Sequence, residues 1–344
     1  MSKTPTFGVN VNNREPLIAP GYTLQDLLDL SVVVDEVGFD SVWVGDSLFS
    51  KPRYEPMMLM AAISQITKQV RLGTACLVSA TRNPLYLALE WATLDQLAQG
   101  RTILGACMGS PEEGVRREYA ALGLDFTKRA EIFEEGMAVL RELWIKGETS
   151  FQGNHFQYDS VSFYSGTEMG PLMPVQSPPP IWVVSNPRLV RGKGDETTTG
   201  KVISKAAKRI AKYGDGWMTC CRAAQPQEFI EQREQILEAI DEIGGKPEDC
   251  VMSYQVTMNI ADSKKEAQEG IQAYISEYYP ELSQKMDISE WGPVGTPDDI
   301  MDWLTTFADA GVDYFICRFG SLDQFGQVER FAKEIFPEFA PEKS

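Results

Sequence analysis

Short apolar runs alternate with amphipathic stretches along the whole chain. TFGVNV (6–11) gives way to LQDLLDLSVVVDEVG, DSVWVGD (40–46) to EPMMLMAAISQITK, VRLGTACLV (70–78) to PLYLALEWATLDQLAQG, and RTILGACMG follows at 101–109. The rhythm resumes with PIWVVSN (180–186), DGWMTC (215–220), VMSYQVTMNIA (251–261) and VDYFICRFG (312–320), each ahead of a helix-like stretch. These runs are nearly continuous rather than alternating in polarity, which predicts parallel strands covered on both faces. Eight strand-then-helix units predict an α/β fold, the closed (β/α)8 TIM barrel. Insertions are expected after strands 4, 5 and 7. Residues 147–179 read as a strand pair with a proline-rich connector, 187–200 as a long loop, and 280–296 as an irregular segment ahead of a helix N-cap at Thr296.

A chain of 344 residues, 43% apolar and 24% charged, is long enough for one large barrel and far from a disordered composition. The balance of 49 acidic against 32 basic residues leaves −17, a field that repels phosphate backbones and anionic lipid. No nucleic-acid or membrane partner is therefore expected. The first residues lack a signal-peptide pattern and no apolar run approaches the ~20 residues of a membrane span, so a cytoplasmic location is expected. Six scattered cysteines form no CxxC pair and His155 is the single histidine, so no metal site is expected. His155 itself reads as a packing residue.

In such a barrel the residues just past each strand's C-terminal end line the site. Those positions hold Asn10 and Asn12, Asp46 and Ser47, Ser79 to Arg82, Cys107 to Ser110, Ser185 and Asn186, and Arg318. The set is rich in hydrogen-bonding groups and poor in strong acids and bases, which suits the holding of a flat polar ligand more than unaided hydrolysis. Within TACLVSATRNP (74–84) the third strand ends in small and hydroxyl-bearing residues, where a plain loop would carry more charge. After the fifth strand, Thr197 to Thr199 and Lys201 precede a helix, where free N–H groups suit a phosphate; a simple helix cap is the other reading.

FDSVWVGDS, VRLGTACLV with RNP, LDQLAQGRTILGACMG, FTKRAEIFEEG, RIAKYGDGW and GTPDDIMDWLTTFADAGVDYFICR stand in the order found in the bacterial luciferase-like family. The chain resembles these flavin- or deazaflavin-dependent barrels from about residue 6 to 336. The resemblance implies a single domain over 1–344 and a bulged third strand, with a non-prolyl cis peptide at Ala75-Cys76 under the cofactor ring. It implies Cys107 and Asp46 as catalytic-site residues, with Cys107 beside the flavin. Cofactor contacts are expected from Ala75, Cys76, Cys107, Met108, Gly109, Arg129, Ser185, Asn186, Thr198 and Thr199. Arg129, Ser185 and Thr198 would grip the phosphate, while Met108 stands where the luciferase motif has a further arginine. Asn10, Ser47, Phe49 and Tyr54 are expected to line the substrate pocket.

Ser47 and Ser110 occupy positions where deazaflavin-dependent dehydrogenases of this family often carry histidine and glutamate. The expected activity is accordingly an FMN-dependent monooxygenase, in which reduced flavin from a separate reductase and O2 oxidise a small organic substrate. A deazaflavin-dependent hydride transfer and a non-catalytic flavin-binding barrel are the alternatives. The family also implies a homodimer.

Overall fold

A computed structural model of the chain describes residues 4–163, 166, 168, 170–185, 204–219, 225–279 and 292–339. Its strands are β1 (Thr6–Asn10), β2 (Ser41–Val44), β3 (Arg71–Thr74), β4 (Leu77–Val78), β5 (Thr102–Cys107), β6 (Glu148–Gln152), β7 (Gln157–Ser162), β8 (Ile181–Val184), β9 (Gly216–Thr219), β10 (Val251–Ile260), β11 (Val294–Gly295) and β12 (Tyr314–Phe319). Walking from β1 through β2, β3, β5, β8, β9, β10 and β12 returns to β1, with every neighbour parallel. This is the expected closed eight-strand (β/α)8 barrel. The third stave breaks after Thr74 and resumes as β4, which pairs with the upper half of β5. At the break lies a cis peptide between Ala75 and Cys76, where the family resemblance placed one.

The helices are α1 (Glu15–Ile18), α2 (Leu24–Glu36), α3 (Pro56–Ile66), α4 (Pro84–Leu97), α5 (Glu113–Ala121), α6 (Arg129–Lys146), α7 (Ser204–Tyr213), α8 (Pro226–Glu242), α9 (Lys264–Tyr278), α10 (Pro297–Asp309), α11 (Gln324–Glu334) and α12 (Phe336–Phe339). Their starts follow local chemistry. Thr23 with Asp26 and Thr296 with Asp299 form reciprocal capping boxes, the second at the expected N-cap. Proline opens α3, α4, α8 and α10, where a missing N–H costs nothing.

Inside the barrel, Trp43, Ile103, Trp182, Met218, Tyr314 and Ile316 form their own cluster, with the two indoles 5.1 Å apart between centroids. Gly73 makes room for them: a Cβ there would lie 2.2 Å from the Trp43 ring. The lumen is thus filled by side chains, and a ligand has to lie above this layer, at the strands' C-terminal ends.

The first insertion carries the expected strand pair, β6 and β7, at 148–162. Helices α5 and α6 intervene between β5 and the β6–β7 hairpin, so the hairpin belongs to the returning connection. Its turn is fastened to the flank of α6, where the Glu135 carboxylate accepts from the amides of Asn154, His155 and Phe156. His155 lies here too, its Nε2 3.3 Å from Glu131. The 187–200 insertion lies outside the described residues. Of the third, β11 adds a short parallel pairing at the end of β10. No helix among the described residues is long and apolar enough to cross a membrane.

Candidate active site

The break in the third stave forms a shelf at the barrel mouth, and Asp46 holds it. Asp46 follows β2, its side chain is 6% exposed, and its carboxylate accepts from the Val78 amide at 2.9 Å and from both terminal nitrogens of Arg82 at 2.5 and 3.0 Å. A fork-to-fork pair of this kind fixes direction as well as distance. The Ala75 amide donates to Val44 O at 2.8 Å, so both sides of the break are anchored to β2 and its extension. Ser79 donates to Cys107 O and Thr81 to Val78 O, which turns the hydroxyls toward backbone acceptors. Asp46, expected among catalytic-site residues, also braces the shelf through these contacts.

The other expected residues gather on neighbouring strand ends. Cys107 closes β5 opposite Val78 and is 9% exposed. The Met108 carbonyl accepts from Tyr119 at 2.9 Å, and Gly109 turns the chain at φ +77°, with Val115 Cγ1 only 2.8 Å from where a Cβ would stand. Arg129 opens α6 with its guanidinium 4.0 Å from the Phe126 ring centroid and its Nη1 donating to Phe126 O. Ser185, just past β8, donates its amide to Met218 O, and its carbonyl accepts from Trp217 Nε1. Asn186, Thr198 and Thr199 lie outside the described residues. Asn10 Oδ1, on the end of β1, and Thr219 Oγ1, on the end of β9, are both buried without a hydrogen-bond partner.

The loop after β2 is tied down by a residue whose role the sequence did not disclose. Glu118 on α5 is 2% exposed, and its Oε1 accepts from Ser47 Oγ at 2.9 Å and from the Phe49 and Ser50 amides at 2.8 and 2.7 Å. Ser47 is thereby committed to the loop, while the Phe49 side chain is 41% exposed. Tyr54 is half-buried and anchored by its backbone to Asn13. A Glu118→Ala variant strips three donors of their shared acceptor. It is expected to lose about 2 kcal/mol of stability in chemical denaturation, with faster hydrogen exchange at Phe49 and Ser50.

Helix α9 lies over the strand ends on the β12–β1–β2 side. Tyr274 accepts from Asn12 Nδ2 at 3.0 Å and donates to Glu15 Oε1 at 2.7 Å, while Tyr278 donates to Asn12 Oδ1, which also accepts from Arg53 Nη1 at 2.8 Å. Burial raises the Glu15 carboxyl to about 7, against the lowering pull of Tyr274, Arg318 and Arg53. The folded state thus keeps this proton to higher pH than the unfolded chain, whose carboxyl titrates near 4.5. Stability should be greatest below pH 4.5 as far as Glu15 contributes, and fall as pH rises toward and through 7. The span is about 3 kcal/mol at most. In Glu15→Gln this component of the pH dependence should vanish, as measured by urea denaturation between pH 5 and 8 (about the titration range).

The fold has counterparts in known proteins. Among solved structures, a monooxygenase from Streptomyces bottropensis superposes with a TM-score of 0.77 at 20% identity, covering 97% of this chain and 100% of that one. An F420-dependent secondary alcohol dehydrogenase bound to an F420–acetone adduct gives 0.77 at 21% identity, covering 99% and 100%. In sequence, the F420-dependent glucose-6-phosphate dehydrogenase of Amycolatopsis mediterranei is 26% identical over 331 residues, 91% of this chain and 94% of the relative. The model of the luciferase-like monooxygenase family matches residues 6–192, which hold the shelf, its Asp46 brace, Cys107 and Arg129. With the barrel closed as that family requires and its motifs on the mouth, the chain belongs to the luciferase-like monooxygenase family and is an oxidoreductase of that kind.

Proposed function

We propose that this chain is a deazaflavin-dependent oxidoreductase that transfers a hydride between the cofactor and a small organic substrate. The observation that carries the reading is the match along nine-tenths of the chain to relatives named F420-dependent dehydrogenases. The mouth's polar atoms suit a flat heterocycle with carbonyl and N–H edges: Asn10 Oδ1, an acceptor, and Thr219 Oγ1, a donor or acceptor, are buried without partners. A bound deazaflavin would supply two-electron hydride chemistry that needs no O2.

The chain's own residues hold and shield. Ala75 and Cys76 would present backbone and small side chains to one face of the ring, with the Asp46–Arg82 pair keeping that floor in place. Cys107, Met108 and Gly109 would border it, and Arg129 and Ser185 would face its anionic tail. Trp43 and Trp182 fill the lumen below and would exclude water from beneath a bound ring.

The FMN-dependent monooxygenase expected from the sequence is the second reading, and one observation favours it. Ser47, standing where related dehydrogenases often carry a histidine, is bonded to Glu118 and supplies no base. Reconstitution with each reduced cofactor, with and without O2, separates the two. Oxygen-independent turnover with deazaflavin alone is the expected result. Product that requires FMN, O2 and a reductase would overturn the reading.

A further inference from the structure

Four cations crowd two consecutive tyrosines at the mouth. The guanidinium carbons of Arg14, Arg318 and Arg53 lie 4.8, 5.2 and 5.9 Å from the centroid of the Tyr278 ring, and Lys51 Nζ lies 5.6 Å from that of Tyr279. They come from the loops after β1 and β2 and from β12, elements distant in sequence that the barrel brings to one side. Such a concentration of positive charge runs against a chain of net charge −17. Lys51 has Glu112 at 3.1 Å. Among the described residues no ion pair joins Arg14 or Arg53 to a carboxylate, and the Nε of each is buried without an acceptor. Glu15, the buried carboxyl beside them, is engaged by Tyr274. Burial works to raise the Tyr279 hydroxyl, yet Arg318, Lys51 and Arg53 hold it below its ordinary range near 10, a sign of the local field.

Guanidinium groups shielded from water with no carboxylate ion-paired to them, as those of Arg14 and Arg53 are among the described residues, are costly, and they persist where an anion supplies what the protein does not. Their forked donors match the planar edge of a carboxylate or a face of a phosphate. We propose that Arg14, Arg53 and Arg318, grouped around Tyr278 under helix α9, form an oxyanion subsite that receives the carboxylate or phosphate group of the substrate. Its assignment to the substrate rests on the hydride-transfer reading; oxyanion binding itself does not. The Arg53 guanidinium lies against Gly45, next to the Asp46 that holds the shelf, so an anion held here would lay the rest of a small molecule toward the ring floor. Among the groups facing it, the arginines stay charged at all working pH. Glu15 gains negative charge as pH rises, with Tyr274 and Tyr278 of α9, Tyr279 just past its end, Lys51 and Asn12 completing the surround. Oxyanion affinity should accordingly weaken as pH rises through the Glu15 titration.

Isothermal titration of the full chain with sulfate, whose charge is constant over this range, tests the subsite, with malonate as the carboxylate arm and chloride at matched ionic strength as the reference. Saturable binding of sulfate or malonate above the chloride background is expected, weakened about tenfold or more in Arg14→Gln and Arg53→Gln. The arm that binds more tightly names the group the substrate carries. Should Arg53→Gln lack a cooperative unfolding transition, Arg53→Lys serves in its place, with weakened but measurable binding expected because the charge is kept and the fork lost. No binding beyond chloride in the parent, or equal binding by the folded variants, would overturn the subsite. Each preparation is also titrated with oxidised deazaflavin by fluorescence. Cofactor binding without sulfate or malonate binding removes the subsite alone, and anion binding without cofactor binding removes the functional reading alone.

Discussion

An Asp46→Ala variant is expected to lose about 3–5 kcal/mol of stability, the cost of stranding a largely buried guanidinium whose partner has been removed. Arg82 can still reach Glu55 Oε1, 3.6 Å away, but that carboxylate is 46% exposed and is a weaker partner. The Val78 amide also loses its acceptor, so the damage falls on the segment that resumes the third stave. Cofactor affinity should fall with it. Removing both members is expected to cost less than the sum of Asp46→Ala and Arg82→Ala, because the double variant buries no lone charge. Urea denaturation of the four proteins measures this, and strict additivity would show that the pair does not act as a unit.

Gly105→Ala should be at least as severe. Gly105 sits in the middle of β5, where a Cβ would lie 1.9 Å from the Thr74 carbonyl oxygen and 3.0 Å from Met218 Cε. The first obstacle is backbone and cannot rotate away. Thr74 Oγ1 moreover donates to the Gly105 carbonyl at 3.0 Å, locking the two strands at this approach. Relief requires β3 and β5 to part, at a cost of about 3 kcal/mol or more. Gly136→Ala, in the middle of α6 with nothing within 4 Å of the new Cβ, is the matched control and should gain up to about 1 kcal/mol. Soluble yield and thermal unfolding of the two variants give the comparison; a Gly105→Ala protein as stable as the parent would refute the close approach.

What the sequence disclosed and what it hid divide along one physical line. Each stave of the barrel is a local apolar run, and periodicity reads local runs well: the eight stretches from TFGVNV to VDYFICRFG all became barrel strands. The N-cap at Thr296 is equally local, since its partner Asp299 is three residues away. The strand pair read at 147–179 is local too and forms the hairpin β6–β7. Contacts between distant segments left no trace at all. Glu118 reads as one more acid on a solvated helix, yet it anchors a loop about seventy residues earlier. Tyr274 and Tyr278 follow a helical spacing, but nothing local shows that they meet Asn12, 262 and 266 residues away.

Asp46 illustrates the same limit from the other side. Its position after the second stave marks it as a rim carboxylate, the kind of residue expected to meet a ligand. Only the fold shows that its carboxylate also accepts from the Arg82 fork and the Val78 amide. The unfilled valences of the mouth lie instead on Asn10, Thr219, Arg14 and Arg53.

Equilibrium titration of the purified chain with oxidised coenzyme F420 and with FMN, in separate and mixed experiments followed by fluorescence, addresses the ring site itself. Saturable binding of the deazaflavin with a dissociation constant of about micromolar or tighter, undisturbed by an equal concentration of FMN, is the outcome expected. Tight FMN binding with no measurable uptake of the deazaflavin would contradict it.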